Sequence, residues 1–358
     1  MDLKRLPRFL FVLMIFAMLL VACKPAAAPE AEAPAAEEEV AEEVVAEEPA
    51  EESGVPFFYA AFATAIEEPW DGVIHEAMQK AADEGKITYE YTDDIGYAGD
   101  MERVLREVAE ESKPDAIFGD AFGNEEAVRR VATDYPGIAF AFGSGFGPAG
   151  ENFAVFDNWI HEPAYLCGLI AGGVSESGVI GVVGGHPVPE VNRIVNAFIQ
   201  GVKETNPDAT VLVTFINSWF DPAAAKEAAL SQIDAGADVL FAERFGVIEA
   251  AVENDLFAFG NMSDQNELGP DHVLSSPVWN MDPTVNYLIE QVVAGSFTSQ
   301  DLKDFSMMGK GGAALADYHG LESNIPAEIV ELVKQRQEEI LNGLFRVDID
   351  EATPGGSN

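Results

Sequence analysis

Basic residues are scarce: 20 lysines and arginines stand against 62 aspartates and glutamates in 358 residues, a formal net charge of -42. Binding nucleic acid requires clustered Lys and Arg to replace the counterions on phosphate. The body of the chain has no such cluster, so a nucleic-acid partner is excluded. Cysteine is nearly absent, with only Cys23 and Cys167. Histidine is also sparse: His75, His161, His186, His272 and His319 are scattered, and none has a partner at i+4 or a cysteine nearby, so no metal site is expected. A Walker motif, a serine nucleophile elbow and HExxH are all missing. Paired acids such as Glu67-Glu68, Asp93-Asp94 and Glu110-Glu111 lack a partnering nucleophile, so neither catalysis nor a cofactor is indicated. Gly178-Val-Ile-Gly181-Val-Val-Gly184-Gly185 carries its glycines within a strand rather than after it, which argues for a tight turn instead of a dinucleotide loop.

Long apolar runs are missing too, with one exception. Lys4, Arg5 and Arg8 precede Phe9 to Ala22, fourteen apolar residues. That is short of the roughly 20 a membrane span needs, and it suits the core of a signal peptide, expected over 1–22. The segment ends Leu20-Val21-Ala22-Cys23, which resembles the bacterial lipobox and so implies a lipid anchor on Cys23. Between Ala27 and Glu52 only Ala, Glu, Pro and Val occur, with eleven glutamates. Such a stretch cannot bury enough apolar surface to offset chain entropy, so 23–53 reads as a disordered tether, and an interaction tail is the alternative. With Cys23 lipidated, Cys167 has no partner. Its neighbours Tyr165, Leu166, Leu169 and Ile170 point to a buried structural thiol.

The remaining length and the 48% hydrophobic composition allow two globular units. From Val55 on, short apolar runs alternate with segments of helical period, the pattern of βαβ units around mainly parallel sheets. Strands are expected at 57–65, 87–92, 116–119, 138–143 and 152–159, then at 179–183, 210–217, 239–242 and 256–260, with helices between. A glycine-rich break at 144–150 marks a hinge. Lobe 1 is expected over 54–159 with part of 280–318, lobe 2 over 160–279 with part of 319–347, and a disordered tail over 348–358. Two similar lobes facing across a cleft suit a small ligand.

Ligands of open α/β sheets bind beyond the carboxyl ends of the strands. The polar and aromatic residues at those ends are the candidates: Glu67 and Trp70 after the first strand, Asp120 after the third, and Ser144 after the fourth. In the second half they are Trp219, Arg244 and Asp264. Taken singly, each could serve turn chemistry or helix capping, and Trp219 could be core. Together they favour a flat ligand stacked on rings and held at its edge by hydrogen bonds.

Several landmarks resemble the basic membrane protein family of solute-binding lipoproteins, which serve ABC importers and include purine and purine-nucleoside binders. They are Pro163-Ala-Tyr165-Leu-Cys-Gly168-Leu-Ile-Ala171-Gly172, the Gly178–Gly185 run, Asn217-Ser-Trp219-Phe-Asp221-Pro222, Gly236-Ala-Asp238-Val239 and Gly260-Asn-Met-Ser-Asp264-Gln265. The resemblance spans roughly Val55 to Ser296. It implies the type I periplasmic-binding fold, a purine held between Trp70 and Trp219, carboxylates at Glu67 and Asp264, and an ABC permease as partner. Nucleoside binders of the family carry Ser-Phe-Asn where Pro69-Trp70-Asp71 stands, an acid at Met262 and a lysine at Trp279. Trp279 therefore joins the candidates, and a free nucleobase is as well supported as a nucleoside. A membrane-tethered sensor of the same fold is the rival function.

Overall fold

The structure, a computed structural model, describes residues 54–355. The expected signal peptide, the lipid site at Cys23 and the tether lie outside the described residues.

Lobe 1 is built from β1 (Phe57–Ala61), α1 (Pro69–Asp83), β2 (Thr88–Thr92), α2 (Asp100–Glu107), β3 (Ala116–Asp120), α3 (Glu125–Asp134), β4 (Ala139–Gly143) and β5 (Phe153–Phe156). Its strands lie in the order β2-β1-β3-β4-β5, all parallel. Parallel strands covered on both faces read as unbroken apolar runs, as in the Phe57–Ala63 run. Alternate residues of β1 feed opposite sides of the sheet: Phe58, Ala60 and Phe62 join one core cluster, Tyr59 and Ala61 the other. β2, at the edge, is mostly exposed and carries Glu90, a charge that discourages further strand addition.

Lobe 2 repeats the pattern with α4 (His161–Val174), β6 (Val179–Gly184), α5 (Pro189–Thr205), β7 (Thr210–Phe215), α6 (Pro222–Asp234), β8 (Val239–Ala242), α7 (Val247–Glu253), β9 (Phe257–Phe259) and β10 (Val273–Ser275). Its order is β10-β9-β8-β6-β7. Read from the other edge, this is the same topology as lobe 1, and in each lobe the order reverses beside the first strand. That reversal opens a crevice at the strands' carboxyl ends.

The rest of the chain ties the lobes together. β11 (Pro277–Trp279) pairs antiparallel with β12 (Ala313–Leu315). Between them α8 (Asp282–Val293) returns to lobe 1 and packs on α1. There Lys86 Nζ donates to Asn286 at 2.7 Å. After β12, α9 (Ala327–Leu341) packs on α4 of lobe 2. The chain thus passes between lobes after β5, after β10 and after β12.

Residues 348–355 depart from the expected disordered tail, because they lie along α5. Asn196 donates to the carbonyls of Asp350 and Ala352, Asn192 to that of Glu351, and Arg193 forms an ion pair with the Glu351 carboxylate at 2.7 Å. Donors on a distant helix hold this stretch, and its own composition gives no sign of them.

Candidate functional site

The β1–α1 connection is organised by helix capping. Glu68 stands at the N-cap in extended conformation, and its Oε2 accepts from the backbone N–H of Trp70 at 2.8 Å and of Asp71 at 3.3 Å. Pro69 follows at the first helical position, where its missing N–H costs nothing. Asp71, in the first turn, reaches back to the strand end, where its Oδ2 accepts from Thr64 Oγ1 and Thr64 N. This turn sets Glu68, Trp70 and Asp71 at the mouth of the crevice and leaves Glu67 exposed on the outer side.

The Trp70 ring is stacked on Phe156, with centroids 6.1 Å apart and planes at 14°, and tilted against Trp279 at 5.2 Å. It also lies directly over Gly143, where an added Cβ would come within 1.9 Å of its Cη2. Two neighbouring strand ends complete the lobe 1 wall. Asp120 closes β3, and its Oδ1 accepts from Phe122 N at 2.8 Å. Ser144 follows β4 in the left-handed region, φ 53°.

Lobe 2 supplies the facing wall. Arg244, after β8, is gripped by Glu243 through Nε–Oε2 at 2.8 Å and Nη2–Oε1 at 2.6 Å. Its Nη1 donates to the Trp219 carbonyl at 3.0 Å and, across the crevice, to Glu68 Oε1 at 2.9 Å. Trp219 lies under the guanidinium, 5.0 Å from ring centroid to Cζ, and edge-on to Phe122 of lobe 1 at 5.0 Å. Glu190, in the first turn of α5, accepts from Asn158 Nδ2 at 2.6 Å. Across the crevice the lobes therefore touch through the buried Arg244–Glu68 ion pair and through Phe122, which meets both Trp219 and His186, while Asp157 and Asn158 at the end of lobe 1 reach Arg193 and Glu190.

Between the walls lies a cleft of about 350 Å³, part of it open to solvent. Five of the eight ligand-site candidates line it: Trp70, Asp120, Ser144, Trp219 and Arg244. Three do not. Glu67 points away, and its neighbour Glu68 takes the place expected for it, because the N-cap position turns the second acid of the pair inward. Asp264 lies in a separate surface groove and pairs with His319 at 2.6 Å. Trp279 is buried behind Trp70, with its Nε1 donating to Ser306 Oγ at 3.0 Å. Thr64, Glu68, Asp71, Tyr97, Phe122 and Glu190 also line the cleft, although strand-end reasoning selected none of them. Phe122 and Thr64 had a signal, since they follow the ends of β3 and β1 by two and three residues. Tyr97 and Glu190 stand farther from their strands, and the packing of loops and α5 brings them in.

The electrostatics are one-sided. Burial pushes the Asp71 carboxyl up to about 7, with the Glu68 charge adding to the effect. Burial likewise raises Glu190 to about 8, aided by Asp157, and Asp120 well above the carboxylate range, aided by Asp71. Glu68 is raised by burial despite the opposing Arg244. Burial opposes the charge on Arg244, but Glu243 outweighs it and holds the guanidinium protonated.

The PnrA-like ABC transporter substrate-binding protein family (Bmp) matches residues 62–307. A Haloferax volcanii protein, TsgA13, is 32% identical over 79% of this chain and 72% of its own length; its name assigns it provisionally to glucose binding in an ABC transporter. The purine-binding protein BAB2_0673 of Brucella abortus is 28% identical over 72% of each chain. Among solved structures, an ABC transporter solute-binding protein from Aeropyrum pernix K1 superposes with a TM-score of 0.69 at 20% identity, covering 82% of this chain and 94% of that one. Two parallel lobes of one topology, bridged across a cleft at their strand ends, agree with these likenesses, and the chain belongs to the PnrA-like family of ABC transporter substrate-binding proteins.

Proposed function

We propose that this protein captures a small, flat, purine-like solute, a nucleobase or nucleoside, between its lobes and delivers it to an ABC permease. It does so outside the cell membrane, held there by lipid on Cys23. The role is capture, not turnover. The observation that carries this reading is the convergence of strand-end residues from both lobes on one cleft walled by Trp70, Phe122 and Trp219 and edged by buried carboxylates. Trp219, only half-buried, offers the ring on which a ligand stacks, a contact contributing about 0.5–1.5 kcal/mol beyond area burial. Trp70 is already packed on Phe156 and Trp279, so it serves as a wall rather than as a second face of a clamp. A ligand touching both lobes favours the closed arrangement by its differential affinity for it.

A sugar is the second reading. The name of the Haloferax volcanii relative points there, and buried carboxylates accept hydroxyl hydrogen bonds. Tryptophan fluorescence titrated with adenine, guanine, xanthine, their nucleosides and glucose separates the two. A shift with purines alone supports the proposal, a shift with glucose alone replaces purine by sugar, and an unchanged signal throughout the panel removes both.

A further inference from the structure

The charges lining the cleft do not balance. Arg244 is shared by two carboxylates, Glu243 and Glu68. Asp71, Asp120 and Glu190 face the same cavity, and among the described residues none of the three forms an ion pair. They are met by hydrogen bonds from neutral groups only: the Thr64 hydroxyl and N–H, the Phe122 N–H and the Asn158 amide. Arg193 lies near Glu190 but is engaged by Asp157 at 2.8 Å and Glu351 at 2.7 Å. Buried carboxylates without a cation are costly, and they either take up protons or recruit a positive charge.

A second observation points to a ligand. Trp70 Nε1 and Asp71 Oδ1 are buried without a hydrogen-bond partner; their side chains, 7% and 1% exposed, both line the cleft. An orphaned donor and an orphaned acceptor on two residues that line the cleft leave groups for the polar edge of a ligand to meet. A metal ion does not fit, since among the described residues no three His, Cys, Asp or Glu side chains group to hold one. Sugar hydroxyls would satisfy lone pairs but supply no positive charge for ionised carboxylates to meet. Aromatic rings attract cations through their faces, and the attraction grows when water is excluded.

We propose that the cleft selects a flat heteroaromatic cation, whose charge Asp71, Asp120 and Glu190 meet and whose ring Trp219 and Phe122 cover. The proposal rests on the reading of the interlobe cleft as the solute site and names the class of solute within it. A cation entering the cleft ionises the carboxylates and releases their protons. Its affinity therefore rises with pH through the range in which they titrate, whereas a neutral ligand that accepts from protonated carboxyls weakens. The other charged or titratable groups facing these three are Glu68, Tyr89, Asp93, Tyr97, Asp157, Arg193, Glu243 and Arg244.

Calorimetry with two matched pairs tests this: 1-methyladenosine against adenosine, and 1-methylnicotinamide, methylated on the ring nitrogen, against nicotinamide. Each pair differs by a methyl group and a positive charge. The expected result is binding of the cationic member at least about tenfold tighter, with proton release detected as a dependence of the heat on buffer ionisation enthalpy. Asp120→Asn and Glu190→Gln, each checked for an intact melting transition, should each erode that preference. A neutral member bound as tightly as its cation, or more tightly, overturns the charge inference while leaving the purine reading in place. Silence from both pairs and from every purine overturns the two together.

Discussion

Trp219 and Trp70 show how two residues of one type, both expected to stack on a ligand, end in different situations. Trp219 sits half-buried at the margin of the core, held by Phe122, His186 and the Arg244 guanidinium, so removing its ring leaves the fully buried residues of lobe 2 in place. Trp219→Ala should weaken binding of the solute about tenfold or more with little change in melting temperature; a variant that unfolds or binds normally would make Trp219 a core residue. Trp70 is built into lobe 1 through Gly143. Gly143→Ala would drive a methyl into the indole, and overpacking of this kind costs about 1–3 kcal/mol. Denaturant unfolding checks it: the midpoint should fall with the slope unchanged, and an unaltered midpoint would mean that the indole swings aside at no cost. Glu67 and Glu68 make the same point at shorter range. Two adjacent acids are equivalent on paper until the helix start decides which one caps and faces inward.

Capping, close approach and strand ends determine what each element contributes. The strands and helices were largely legible, because buried parallel strands and amphipathic helices impose different periods on the chain. The close crossing of α4 and α5 was not. Gly168 would place a Cβ 2.0 Å from the Phe198 carbonyl oxygen, and Gly201 one 2.1 Å from that of Tyr165. The backbones meet there directly, and no side chain is available to rotate away. Gly201→Ala should therefore destabilise lobe 2 by about 1–3 kcal/mol or more, read as a lowered melting temperature. Retention of the wild-type value would show that the helices separate freely. The ordering of 348–355 along α5 has a related cause: a charged, proline-containing end looks like a tail until asparagines on another helix donate to its carbonyls.

The acid cluster between the lobes gives the molecule an unusual pH dependence. In the folded state Asp71 and Glu190 are raised from 3.8 and 4.5 to about 7 and 8, and Asp120 is raised well above 3.8. Above the unfolded values the folded chain therefore binds more protons, and ∂ΔG/∂pH is negative. Their stabilising contribution is complete below about pH 4 and lost as the pH rises through about 7 to 8. The melting temperature should be higher near pH 5 than near pH 8, and Asp71→Asn or Glu190→Gln should flatten the difference. A melting temperature that climbs steadily toward pH 8 would show that these carboxyls are ionised throughout.

What the amino-acid order determined by itself was the alternation of βα units, the two-lobed class and the strand ends at which ligand groups collect, because hydrophobic period and loop chemistry are local. It also carried the family, through glycines and aromatics at set positions. Only the tertiary structure decided that Glu68 rather than Glu67 faces the cleft, that Trp279 backs Trp70, that Asp264 stands apart with His319, and that Tyr97, Phe122 and Glu190 join the wall. Those outcomes depend on which loops of two separate sheets come within a few ångströms of each other, and in an alternating chain no local pattern encodes that distance.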